Sequence, residues 1–279
     1  MIRASLASAR GPRAARGPRA ASAATWTPWR WALAGAVLGL LAALVAFMPA
    51  QWLADGLARA SNRQLLLIDA RGTVWNGSSR IVFTGGTDSS EAAVLPGRVD
   101  WELRPSGLGV RMRLASACCA AQGVELRARW RPRGLALDVA DSTSHFPAAM
   151  LAGLGTPWNT LQLEGDLQLA TQGLSVEWIE GRLAVAGRAE LVAQRMSSRL
   201  STLRPMGSYR ITVQGGTAPT LRLDTLEGSL RLTGSGQWVG RRLRFTGEAS
   251  AEPEREAALA NLLNIVGRRS GARSIITIG

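Results

Sequence analysis

The chain has 279 residues, with 33 basic against 20 acidic side chains, one histidine and two cysteines, and a formal charge of +13. Every basic residue is arginine. So few histidines and cysteines exclude a multi-ligand metal centre and a cysteine-stapled mini-domain. The scattered arginines, mostly alternating with apolar residues, argue for solvated strand faces and against a nucleic-acid surface; anionic lipid heads are the other partner they suit.

Residues 1–30 are rich in Ala, Arg, Gly and Pro, repeat Gly-Pro-Arg-Ala at 11–14 and 17–20, and read as a disordered tail. Trp31 to Met48 then carry no charge. At about 1.5 Å per residue this run spans roughly 27 Å, close to a bilayer's hydrocarbon thickness. Pro49 marks the expected helix end. Arg3, Arg10, Arg13, Arg16, Arg19 and Arg30 precede the run without an acidic neighbour, which predicts a cytoplasmic N-terminus and an exported C-terminal part. A cleaved signal peptide is the rival reading. Its apolar region is ordinarily shorter, and Ala46-Phe-Met-Pro-Ala50 is a poor cleavage site. Trp26, Trp29, Trp31 and Trp52 sit where an interfacial aromatic belt is expected.

Residues 49–279 read as strands. Gly109–Leu114, Val124–Trp130, Tyr209–Val213, Ser229–Leu232 and Arg242–Thr246 alternate apolar with polar side chains. Gly85-Gly86, Pro132-Arg-Gly134, Gly215-Gly216 and Gly234-Ser-Gly236 are expected to be the turns between them. Cys118 and Cys119 are adjacent, a poor arrangement for a disulfide, and read as two buried thiols at a strand end. Two helices are predicted. One is short, near Pro147 to Leu154. The other runs near 252–267, with Pro253 in its first turn, a stripe of Leu259, Leu262, Leu263 and Val266, and a stop at Gly267. Two helices cannot cover so many strands, so the sheet must curl, form a sandwich or leave an apolar groove. The stretch Trp158–Leu169 echoes Pro219–Leu232, and Leu65–Trp75 does so more weakly; each reads as strand, Gly-bearing turn, strand.

Chemistry-bearing motifs are few. His145 precedes Phe146-Pro147 and reads as a loop or cap residue, with no metal-ligand spacing and no nucleophile elbow nearby. Gly234-Ser-Gly236 does not have the setting of a phosphate cradle. These readings point to a non-enzyme without cofactor or metal. Trp75, Trp101, Trp130, Trp158, Trp178 and Trp238 belong to the strand region and are expected to fill its core.

The whole pattern resembles protein N of the bacterial type II secretion system (GspN). The resemblance rests on Pro49-Ala-Gln-Trp52, on Gly72-Thr-Val-Trp75-Asn-Gly77, and on Val99-Asp-Trp101-Glu-Leu103 with Leu108. It continues through Gly228, Gly234, Gly236, Trp238, Leu243-Arg-Phe245-Thr-Gly247-Glu-Ala249, the acidic helix start and Gly267. The arginine tail and Cys118-Cys119 are departures from it. The resemblance implies a mainly β protein of the cell inner membrane, with one transmembrane helix (31–48) and a curved antiparallel sheet as a periplasmic domain (49–279). It further implies a non-enzymatic accessory role in type II secretion, with other inner-membrane subunits as partners. Distant kinship with AsmA-like proteins implies lipid in a sheet groove as the alternative. Gly35 and Gly39 form a small-xxx-small face suited to helix packing in the bilayer.

Overall fold

The computed structural model describes residues 29–86, 92–180, 182–240 and 242–279. The chain divides into two compact units, residues 1–45 and 46–279. The expected disordered tail and Trp26 lie outside the described residues.

The first helix, α1, spans Trp29–Ala46 and has no buried residue. It is long and apolar enough to cross a membrane. It ends two residues earlier than the apolar run suggests. Pro49 does not simply end a helix: it is the N-cap of a second one, α2 (Ala50–Ala60), where only strands were expected. Proline tolerates that place because the first N–H groups of a helix have no partner inside it. Ser61 closes α2, its hydroxyl donating to the Leu57 carbonyl at 2.8 Å.

The remainder is one antiparallel sheet of sixteen strands. In chain order they are β1 (Leu65–Gly72), β2 (Asn76–Thr84), β3 (Ala92–Val94), β4 (Val99–Pro105), β5 (Gly109–Ser116) and β6 (Ala120–Arg131). Next come β7 (Gly134–Val139), β8 (Ser142–Pro147), β9 (Leu163–Ile179), β10 (Arg182–Ser198) and β11 (Gly207–Gly216). The last are β12 (Thr220–Gly228), β13 (Leu230–Val239), β14 (Arg242–Ala251), β15 (Arg268–Ser270) and β16 (Arg273–Ile278). Neighbours in sequence are mostly neighbours in space, so the sheet is a long meander. Only β3 and β8 lie off the main path, pairing β2 and β9 respectively. Curvature follows from the core. Leu167 of β9, Ala193 of β10, Tyr209 of β11, Leu230 of β13 and Ala249 of β14 share one buried cluster with Leu259, Leu262 and Leu263 of α4 (Glu256–Val266). A flat sheet from β9 to β14 would be about 24 Å wide at about 4.8 Å per strand, twice the girth of a helix. The sheet therefore curls around α4.

Several sequence expectations change. The helix expected from Glu252 opens as a 3₁₀ turn at Pro253–Arg255 before α4, and the short helix after Pro147 is 3₁₀, Ala148–Leu154. Trp158–Leu161 is a helical turn, α3, so the first half of the supposed repeat is not a strand. Gly234 and Gly236 lie inside β13, not in a turn. His145 is an exposed residue of β8, and its N–H donates to the Cys119 carbonyl at 2.8 Å. Cys118 and Cys119 are joined in a disulfide at the β5–β6 turn, with Cys119 buried and Cys118 exposed, in place of two buried thiols.

Candidate functional site

Because directly paired residues of an antiparallel sheet share a face, the registers define an inner and an outer surface. The inner one is mostly apolar, with Ser79, Ser116, Thr171 and Ser274 among its buried polar members. Val110, Ala128, Leu137, Val176 and Val185 form one continuous row across β5, β6, β7, β9 and β10. Trp130, Leu135, Trp178 and Leu183 form the next row outward. The outer surface carries the arginines, matched by acids: Arg129 with Asp138 at 2.7 Å, Arg188 with Glu190 at 2.5 Å, and Arg222 with Asp224 at 2.9 Å. Such exposed pairs contribute at most about 1 kcal/mol each, so they solubilise this face more than they hold the fold.

The inner surface is covered unevenly. Its half beneath α4 is dry: Ser274 Oγ of β16 donates to the Leu263 carbonyl at 2.6 Å, and Ser201 Oγ of the β10–β11 loop to the Ala258 carbonyl at 3.0 Å. The row from Val110 to Val185 in the other half is only half-buried. Beyond it, Trp130 is 68% exposed and Trp178 is 43% exposed. The expectation that the strand-region tryptophans fill the core thus holds for Trp101, at 4% exposure, and fails for Trp130, Trp158 and Trp178. Alternation in β6 already put Trp130 on the apolar face; what it could not show was that α4 stops short of that end.

The family-like residues fall into two clusters. Gly72, Trp75, Gly77 and Trp101 gather at the β1–β2 turn. Trp101 Nε1 donates to the Val74 carbonyl at 3.0 Å, and its ring lies where a Cβ on Gly77 would sit, 2.5 Å from Cζ2. Gly72 turns the chain at φ +87° and faces the Asn76 carbonyl, so a side chain there meets both a clash and a strained backbone. Trp75 is half-buried beside them. The second cluster surrounds Phe245. Gly236 pairs directly with Phe245, and Gly234 with Gly247, so the ring lies across glycines on β13 and β14. A Cβ added at Gly234 would lie 2.9 Å from the Gly247 Cα as well as against the ring. Trp238, half-buried, pairs with Leu243 on the same face. Gly228 ends β12 and stands apart from both groups. On α1, Gly35 and Gly39 have nothing within 4 Å of a notional Cβ.

An arginine that sequence reading passed over ties the β1–β2 hairpin to the loop before β4. Arg98 Nη1 donates to Asp69 Oδ2 at 2.6 Å, and Nη2 donates to the Asp69 carbonyl at 2.8 Å and the Ser78 carbonyl at 3.0 Å. Hydrogen bonding from Arg98, seconded by Arg71, holds the Asp69 carboxyl below the usual carboxylate range. Asp69 sits at a β-bulge with φ +54°, which turns its side chain toward Arg98. Nothing in the sequence pattern singles out this pair.

Among the described residues no group of three His, Cys, Asp or Glu side chains is placed to hold a metal ion. A shallow open depression of about 550 Å³ lies where β12 diverges from β13, lined by Arg222, Asp224, Ser235, Thr246 and Glu248. Arg222 pairs with Asp224 and Glu248 with Arg273, and the depression has no nucleophile–base pair.

Comparison with known families decides the affiliation: the model of type II secretion system (T2SS) protein N matches residues 63–276. The chain belongs to this family. The match runs from just before β1 into β16 and so covers nearly the whole sheet with α4, including both glycine–aromatic clusters. No curated protein and no solved structure matches the chain.

Proposed function

We propose that this member of the T2SS protein N family is a non-enzymatic, single-pass component of the inner membrane that supports export of folded proteins through contacts of its span and its periplasmic sheet domain. The match to the protein N family over the sheet domain carries this reading. One apolar helix ahead of that domain supports the membrane anchor, and the arginines before Trp31 support a cytoplasmic N-terminus. Gly35 and Gly39 leave α1 a small face on which a neighbouring span can pack closely. Co-isolation of the tagged full-length chain from mild-detergent membrane extracts tests the reading. Recovery of inner-membrane secretion subunits is expected; their absence, with the bait intact, counts against it.

A second reading is favoured by one observation, the half-buried row from Val110 to Val185 that α4 leaves uncovered. In this reading the inner face shelters an acyl chain. Native mass spectrometry of the protein released from membranes should then find lipid retained; a lipid-free protein ends this alternative.

A further inference from the structure

The hairpin tips of the sheet are not equivalent at its two ends. The strand Pro49 forms with Thr73 is a single antiparallel bridge, and the Val74 N–H donates to the Met48 carbonyl at 2.8 Å. The chain leaving α1 is therefore fastened to the β1–β2 turn. Following the registers outward from that turn places the β4–β5, β6–β7, β9–β10, β11–β12 and β13–β14 connections at the same end, through the pairs Asn76–Glu102, Pro105–Val110, Gly109–Arg129, Gly134–Ile179, Val185–Gly216, Thr220–Gln237 and Val239–Arg242. This is also the end where α4 leaves the inner face uncovered. Leu108, at 83% exposure, projects from the β4–β5 tip, and Trp130, Leu135, Trp178 and Val239 are exposed beside the next tips. Arg133, exposed at the β6–β7 tip, pairs with Glu180 at 2.8 Å, while Arg182 and Arg242, also exposed, have no ion pair among the described residues. At the opposite end Leu95, Met206 and Leu230 are buried, and the exposed apolar side chains there, Val94 and Leu226, include no tryptophan.

We propose that this end of the sheet is a bilayer-docking surface, its exposed tryptophans and leucines seated in the interface and its arginines on anionic headgroups of the membrane that α1 spans. The proposal rests on the reading of α1 as a span. Chain length then names the occupant. The three residues from Ala46 to Pro49 reach at most about 11 Å, so the membrane lies within that distance of the β1–β2 turn. The far tips are a strand length away, about 33 Å for the ten residues of β13. Tryptophan with an apolar body and a polar N–H suits the headgroup level, and arginine suits an anionic leaflet. A surface so exposed in water would otherwise be an aggregation liability.

The test uses the full chain in nanodiscs of phosphatidylglycerol and phosphatidylethanolamine, with a bimane fluorophore at L108C, L226C or L41C and brominated lipid as the quencher. Leu226 is an exposed leucine at the opposite end of β12, and Leu41 lies in α1. Emission at Leu41 and Leu108 should fall by half or more while that at Leu226 is unchanged. Quenching at Leu41 but not at Leu108 overturns the docking surface and leaves the span standing. No quenching at Leu41 overturns the span and the docking with it. Replacing phosphatidylglycerol by phosphatidylcholine should weaken quenching at Leu108 alone; no change refutes the role given to the arginines.

Discussion

Tyr209 is the chain's one tyrosine, and no lysine competes with it in the alkaline range. The ring is buried in the core beneath α4, and its hydroxyl donates to the Leu230 carbonyl at 3.0 Å. Burial pushes the phenol's pKa well above its usual value. In the unfolded chain the group loses its proton near pH 10. Above that pH the unfolded state binds fewer protons than the folded one, so stability falls as pH rises. It is fully present below pH 10 and is lost through the range between the unfolded and folded pKa values. Integrated from pH 10 to 11, one retained proton costs about 1 kcal/mol, a fall of roughly 2–4 °C in Tm for a domain of this size. Thermal unfolding of the full chain in detergent, followed by circular dichroism at both pH values, measures it. Tyr209→Phe should lose about 1 kcal/mol at neutral pH for the missing hydrogen bond and then show no further loss between pH 10 and 11. If the variant falls as steeply as the parent in that window, or the parent does not fall, the phenol is not held protonated in the core and the packing described for α4 is wrong.

Three further outcomes are expected. Leu263→Ala removes a fully buried side chain from the α4 stripe and should destabilise the domain by about 2–5 kcal/mol in denaturant unfolding; a loss below 1 kcal/mol would mean that α4 is not a core element. Gly234→Ala, which presses on Phe245 and the Gly247 backbone, should cost about 1–3 kcal/mol, and Phe245→Leu in the same chain should recover part of it; strict additivity in the double-mutant cycle would contradict the close approach. The depressed carboxyl of Asp69 contributes stability that is present above the unfolded value near pH 4 and is lost as pH falls through the lower folded value. Asp69→Asn should therefore flatten the acid limb of the Tm–pH curve, and an unchanged limb would remove the Arg98 contact from the account.

Much of the fold is legible because a sheet with one dry face writes its period into the chain. Val124–Trp130 and Arg242–Thr246 alternate cleanly, and both are strands. β9 and β10, each 17 residues, are harder to see because bulges shift the inner face along the strand. The inward residues step from Val176 to Thr171 in β9 and from Ala193 to Met196 in β10, where Arg195 takes φ +49°. Each shift breaks the two-residue rhythm. Glycine misleads at Gly234 and Gly236 because it ordinarily marks a turn, whereas here it yields room to an aromatic ring from the next strand. α2 is hidden because Ala50–Ala54 prolongs the uncharged run past Pro49. Exposure of Trp130 and Trp178 could not be read at all, since it depends on how far α4 reaches, which no local pattern encodes.

Both proposals stand on α1 holding the chain in the inner membrane with the sheet domain outside the cytosol. Protease treatment of spheroplasts carrying a reporter after Gly279 measures that most directly. The account predicts that the C-terminal reporter is digested while one placed before Met1 is protected until the cells are lysed. A C-terminal reporter that survives until lysis would contradict it.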